Sequence, residues 1–126
     1  MISQNKSALR TPIIGKVIEL NKYILSKKPL LRKDVQRTYG TSLLSQCDIL
    51  FTQALREVRG KDYYKRAVEC IFDIQAKTYL VHTLNAGWNM KIVSVIDMMC
   101  DEIHEHLYKI DASHNARIGK STDETE

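Results

Sequence analysis

The sequence predicts an all-α domain, an up-down-up-down antiparallel four-helix bundle. Apolar residues recur at three- and four-residue steps along four long stretches, the spacing that puts side chains on one face of an α-helix. Two prolines and five glycines in 126 residues are too few for a turn-rich β fold. The connections between the periodic stretches are short, which makes successive helices antiparallel neighbours. Each helix then hides one stripe, and the stripes together close a single core. A chain of this length suggests one domain, able to bury roughly two thirds of the surface its unfolded form exposes.

Residues 1–11 are polar and carry no period, so a flexible arm is expected there. Thr11 followed by Pro12 is a helix start, a capping hydroxyl and then proline at the first helical position. Helix one is expected over residues 12–27, with Ile14, Val17, Ile18, Ile24 and Leu25 on one face. Asn21 falls in the same stripe, either as a buried register-setting group or as a solvated residue at its edge. Lys28-Pro29 stops this helix, because the residue before proline is pushed out of the α region. Helix two then runs from Lys33 to Gly60 without a proline. Its face comprises Val35, Tyr39, Leu43, Leu44, Cys47, Leu50, Phe51, Ala54, Leu55 and Val58, and Gly60 suits a left-handed C-terminal cap. Asp62 is the expected N-cap of helix three, residues 63–84. Its seam is Tyr64, Ala67, Val68, Ile71, Ile74, Thr78 and Val81, flanked by Cys70, Tyr79 and Leu84. Asn85-Ala86-Gly87 ends it. Helix four is expected over residues 89–110, on Ile92, Val95, Ile96, Met99, Ile103, Leu107 and Ile110. From Asp111 onward the chain is small, polar and charged, which reads as a disordered tail. The domain organisation is thus an arm (1–11), a bundle (12–110) and a tail (111–126).

Hydrophobic residues make up 44% and charged residues 27%, a composition that excludes global disorder. The cysteines Cys47, Cys70 and Cys100 are odd in number, widely spaced and on or near apolar faces, so they read as buried thiols in a reducing cytoplasm. No stretch resembles a signal peptide, and none approaches the roughly 18 to 20 apolar residues of a membrane span.

Catalytic chemistry finds no footing. There is no glycine-rich phosphate loop, and no serine or cysteine has a readable base partner. A di-metal carboxylate site needs Glu-x-x-His motifs on facing helices, which helix four lacks. Glu102 and His106 lie one turn apart, but the other helices offer no matching cluster, and His82 stands isolated. The expectation is a non-enzymatic protein with no cofactor and no metal.

The strongest functional signal is basic. The net charge is +4, and residues 16–37 hold seven basic side chains against two acidic ones, a local charge of +5. The candidate nucleic-acid-binding residues are Lys27, Lys28, Arg32, Lys33 and Arg37, with Arg56, Arg59, Lys65 and Arg66 near the turn between helices two and three, where Lys61 also lies. Such side chains track phosphates without reading bases. Tyr23, Tyr39, Tyr63 and Tyr64 are interleaved and suit base stacking. The alternative is that these charges solubilise a bundle whose tyrosines are core. Asp101, Glu102 and Glu105 at the end of helix four make an acidic counterpart. Two complementary patches on one chain suit a head-to-tail ring.

The run from Lys28 to Gly40, with Pro29, Arg37 and Gly40, resembles the junction between helices one and two of the Avd-like four-helix bundle proteins. These are the accessory variability determinants of diversity-generating retroelements, relatives of bundles encoded by intervening sequences in ribosomal RNA genes. The opening of helix three, Tyr64-Lys65-Arg66-Ala67, is also similar, and helix order agrees over residues 13–110. The resemblance implies a homopentameric barrel that binds RNA or DNA and the element's reverse transcriptase, and so supports mutagenic copying of a template repeat. Arg37 matches the family arginine; the other basic residues are candidates by charge. The chain departs from the family in its modest net charge and its acidic tail.

Overall fold

The computed structural model describes residues 10–124, with side-chain surroundings through Ala116. Of the expected N-terminal arm, residues 1–9 lie outside the described residues. Four helices form among the described residues, and no strand does. They are α1 (Pro12–Lys27), α2 (residues 33–58), α3 (Tyr64–Thr83) and α4 (Met90–Glu124). α1 and α3 each pack against both α2 and α4, so the four surround one core. No helix among the described residues is long and apolar enough to cross a membrane.

α1 has the expected bounds, but its buried face is turned. Ile13, Ile14, Val17, Leu20 and Ile24 are buried, whereas Ile18 and Leu25 are 37% and 57% exposed. Both stripes obey the same three- and four-residue spacing, and the position of α2 and α4 decides between them. Asn21, half-buried, lies with Ile18 and Leu25 along a groove against Asp48 and Phe51 of α2.

α2 is one rod with a defect. Lys33–Val35 is α-helical, Gln36–Gly40 is a π turn, and Thr41–Val58 is α-helical again. At the defect the Gln36 carbonyl accepts both the backbone N–H and, at 3.2 Å, the hydroxyl of Thr41. The predicted apolar face holds, with Val35, Leu43, Cys47, Leu50 and Ala54 buried and Tyr39, Leu44, Phe51, Leu55 and Val58 packed beside them. Gly60 takes the left-handed conformation expected of it, φ +87°.

The connections after α1 and after α3 interlock. The Trp88 indole N–H donates to the Lys27 carbonyl at 2.9 Å, and the Arg32 backbone N–H donates to the Ala86 carbonyl at 2.8 Å. Trp88 is buried and closes the C-terminal end of α1, where carbonyls otherwise lack partners. A Cβ on Gly87 would sit 2.1 Å from the Leu30 carbonyl oxygen.

α4 does not end at Ile110. It continues to Glu124, through residues expected as a tail. No proline follows Ile110, and polar composition without a breaker does not stop a helix. Asn115 Nδ2 donates to Asp111 Oδ2 at 3.2 Å, a one-turn pair just past the expected end. His114 Nδ1, also past it, lies 3.5 Å from Glu57 Oε1 of α2.

Candidate nucleic-acid interface

The basic candidates divide into two groups at opposite ends of α2, roughly 37 Å apart at ~1.5 Å per residue. Lys27, Lys28, Arg32, Lys33 and Arg37 cluster where α1 gives way to α2. Arg56, Arg59, Lys65 and Arg66 gather where α2 gives way to α3, joined by Lys61.

Several members of the first group are engaged locally. Arg32 Nε lies 2.7 Å from Asp34 Oδ1, and this hydrogen-bonded pair holds the Asp34 carboxyl below its usual range. The Lys28 stem covers Gly40, and the Lys27 ammonium stands 5.4 Å from the Tyr23 ring centroid. Lys33 and Arg37 are exposed, Lys33 in the first turn of α2 and Arg37 in the π turn.

The second group is different. Arg56, Arg59, Lys61 and Tyr63 line one cavity of about 330 Å³. The guanidinium carbons of Arg56 and Arg66 lie 5.0 and 5.3 Å from the Tyr63 ring centroid. Such contacts hold an arginine in place while leaving its charge uncompensated. Among the described residues no carboxylate lies within ion-pair distance of Arg56, Arg59, Lys61, Lys65 or Arg66. Arg56 and Arg59 also close the C-terminal end of α2, where the helix dipole favours cations.

The tyrosines divide between the edge of the core, the alternative the sequence offered, and the basic end of α2. Tyr23, Tyr39 and Tyr64 pack against the core, and Tyr64 Oη sits 3.3 Å from His104 Nε2. Tyr63 carries the two arginines. These rings are cation seats and core edge.

The acidic face of α4 is partly consumed inside the chain. Lys16 pairs with Glu102 at 3.0 Å and Lys109 with Glu105 at 3.4 Å. The Gln75 amide donates to Asp97 at 2.9 Å and to Asp101 at 3.0 Å. Glu102, half of the metal pair considered from sequence, is therefore committed to a lysine. His82 Nδ1–H donates to the Trp88 carbonyl at 2.9 Å, which makes it part of the end lock.

All three cysteines are buried free thiols. Burial pushes Cys47 up to about 12 and Cys70 up to about 11, and raises Cys100 as well, so all three stay protonated.

Sequence reasoning missed Glu57. It sits on the apolar side of α2 and is 1% exposed. Its Oε2 accepts the backbone N–H of Tyr63 at 2.8 Å, the capping task expected of Asp62. Burial is the main cause that holds its carboxyl above the usual range; the Tyr63 N–H opposes, and Asp111 adds to the rise.

No protein-family model, curated protein or solved structure matches the chain.

Proposed function

We propose that the protein is a non-enzymatic, nucleic-acid-binding helical bundle of up-down-up-down antiparallel arrangement, and that it grips phosphates at the end where α2 meets α3. The observation that carries this reading is the cluster of Arg56, Arg59, Lys61, Lys65 and Arg66, which has no ion-pair partner among the described residues. Clustered, exposed cations without counter-charges are what a polyanion neutralises. The interlocked connections after α1 and α3, and the contacts of α1 and α3 with both other helices, support the antiparallel arrangement. The resemblance at Lys28 to Gly40 extends the proposal to an accessory role beside a reverse transcriptase, as a ring-shaped homopentamer.

Fluorescence anisotropy of labelled single-stranded RNA and duplex DNA tests it. Affinity is expected to fall log-linearly with salt. Joint Arg59→Glu and Lys65→Glu substitution, both at exposed positions, is expected to abolish binding while leaving the helical circular dichroism unchanged. Unaltered binding sinks the reading.

A second reading, a protein-interaction or scaffolding bundle without nucleic acid, draws on the exposed apolar edge. Ile18, Leu25 and Ile49 are 37%, 57% and 43% exposed on α1 and α2. Under this reading Leu25→Lys lowers the light-scattering mass, and RNA changes nothing.

A further inference from the structure

The α2–α3 turn also gathers acidic groups from three parts of the chain. Glu57 near the end of α2, Asp62 of the turn and Asp111 of α4 place one carboxylate oxygen each within 4.8 Å of the others. His114, one helical turn beyond Asp111, brings Nδ1 to 3.5 Å from Glu57 Oε1. Asp111-x-x-His114 thus puts a carboxylate and an imidazole on the same face of α4. All four residues line one cavity of about 300 Å³.

We infer that Glu57, Asp62 and Asp111, with His114 beside them, form a site for one divalent cation of the Mn²⁺ class, which clamps α4 beyond Ile110 onto the turn between α2 and α3. A cluster of exposed acids is common on protein surfaces and carries little by itself. Glu57 separates this one from that background. Its side chain is 1% exposed, it lines the cavity, and its Oε1 has no hydrogen-bond partner. A buried carboxylate oxygen in that state is costly unless a cation or a proton satisfies it. His114 Nδ1, 3.5 Å from Oε1, helps as a counter-charge only when protonated. Lys61 and Lys65 line the same cavity, yet neither lies within ion-pair distance of the three carboxylates.

The donor set selects the ion. Three carboxylates favour hard cations, and an imidazole beside them moves the preference from Ca²⁺ and Mg²⁺ toward Mn²⁺. Oxygens about 2.1 Å from a shared ion stand roughly 3 to 4 Å from one another, so the present spacing closes with side-chain shifts of about 1 Å. The Asn115 amide, which lines the same cavity, donates to Asp111 Oδ2 and orients that carboxylate.

Mn²⁺ alone is the probe, added to the full chain after chelator treatment, with free Mn²⁺ read by electron paramagnetic resonance. Saturable uptake of one ion per chain is expected. Asp62→Asn changes an exposed turn residue and leaves the fold intact; it is expected to weaken uptake by about 10- to 100-fold. Asp111→Asn is expected to do the same. Hydrogen exchange supplies a second readout: Mn²⁺ slows amides of α4 beyond Ile110 in the wild type and not in Asp62→Asn. Absence of saturable uptake overturns the inference. So does equal uptake by both variants, or protection of α4 that follows acidification and not Mn²⁺, since a shared proton would then fill the role. None of these outcomes depends on whether the chain binds nucleic acid.

Discussion

Glu57 on α2 accepts the backbone N–H of Tyr63 at 2.8 Å, so a buried carboxylate from one helix caps the start of the next. Helix starts leave N–H groups without intrahelical partners, and here the acceptor comes from α2 and not from the turn. The buried acid is therefore structural before it is anything else. Burial works against its charge, as do Asp111 of α4 and Asp62 of the turn, while the Tyr63 N–H and His114 favour it.

That arrangement has a pH signature. The folded-state pKa of Glu57 is raised, so its contribution to stability is fully present below the unfolded value and is lost as pH rises through the folded value. Glu57→Gln keeps an acceptor for Tyr63 and removes the charge. In chelator, urea midpoints of wild type and Glu57→Gln are expected to diverge as pH rises from ~4.3 toward neutrality, with the wild type losing ground. Glu57→Ala also strands the Tyr63 N–H and is expected to cost about 1–3 kcal/mol. A difference between wild type and Gln variant that stays flat with pH contradicts the assignment.

Gly87 is expected to tolerate no side chain. Its φ is +122°, and a Cβ would meet the Leu30 carbonyl oxygen at 2.1 Å, a rigid backbone atom. Gly87→Ala is expected to cost at least ~2 kcal/mol, read from urea unfolding. Gly40→Ala is the control: its Cβ meets the flexible Lys28 stem at 3.1 Å, in a helical stretch. That variant is expected to be neutral or to gain up to ~1 kcal/mol.

Trp88 is the single tryptophan and is buried, so its emission reports folding directly. Trp88→Phe keeps the apolar ring and deletes the N–H that reaches the Lys27 carbonyl. A loss of about 1–3 kcal/mol is expected by thermal or chemical unfolding, because a carbonyl at the end of α1 loses its partner. An unchanged midpoint would mean that water replaces the indole without cost.

The two basic groups are expected to differ in their share of polyanion binding. Arg59 has no ion-pair partner among the described residues, whereas Arg32 is paired with Asp34 at 2.7 Å. Arg59→Ala is expected to lower the salt slope of binding by about one ion. Arg32→Ala is expected to change it less. Equal changes would move the interface toward the start of α2.

The four amphipathic helices, the face of α2 and the glycine cap after it were legible in the residues. Period and breakers act locally, and α2 has room for one apolar face only. The buried side of α1 was legible only in part. Ile14, Val17 and Ile24 of the expected face are buried, but Ile13 and Leu20 join them in place of Ile18 and Leu25, and only the neighbours choose. Trp88 gave no periodic signal, because a residue that plugs a helix end lies outside any stripe. The end of α4 was misplaced for a different reason: polar composition was taken as a stop, though no breaker follows Ile110.

Chain chemistry by itself determined that this protein is helical, where its first three helices begin and end to within a residue or two, and that its cations outnumber its acids. Tertiary structure decided which of those cations lack partners and which acids meet. Arg32 is neutralised by a neighbour two residues away, while Glu57, Asp62 and Asp111 converge across 54 positions of sequence. Periodicity is a property of one helix, but charge compensation depends on distances between helices, and those exist only once the core has closed.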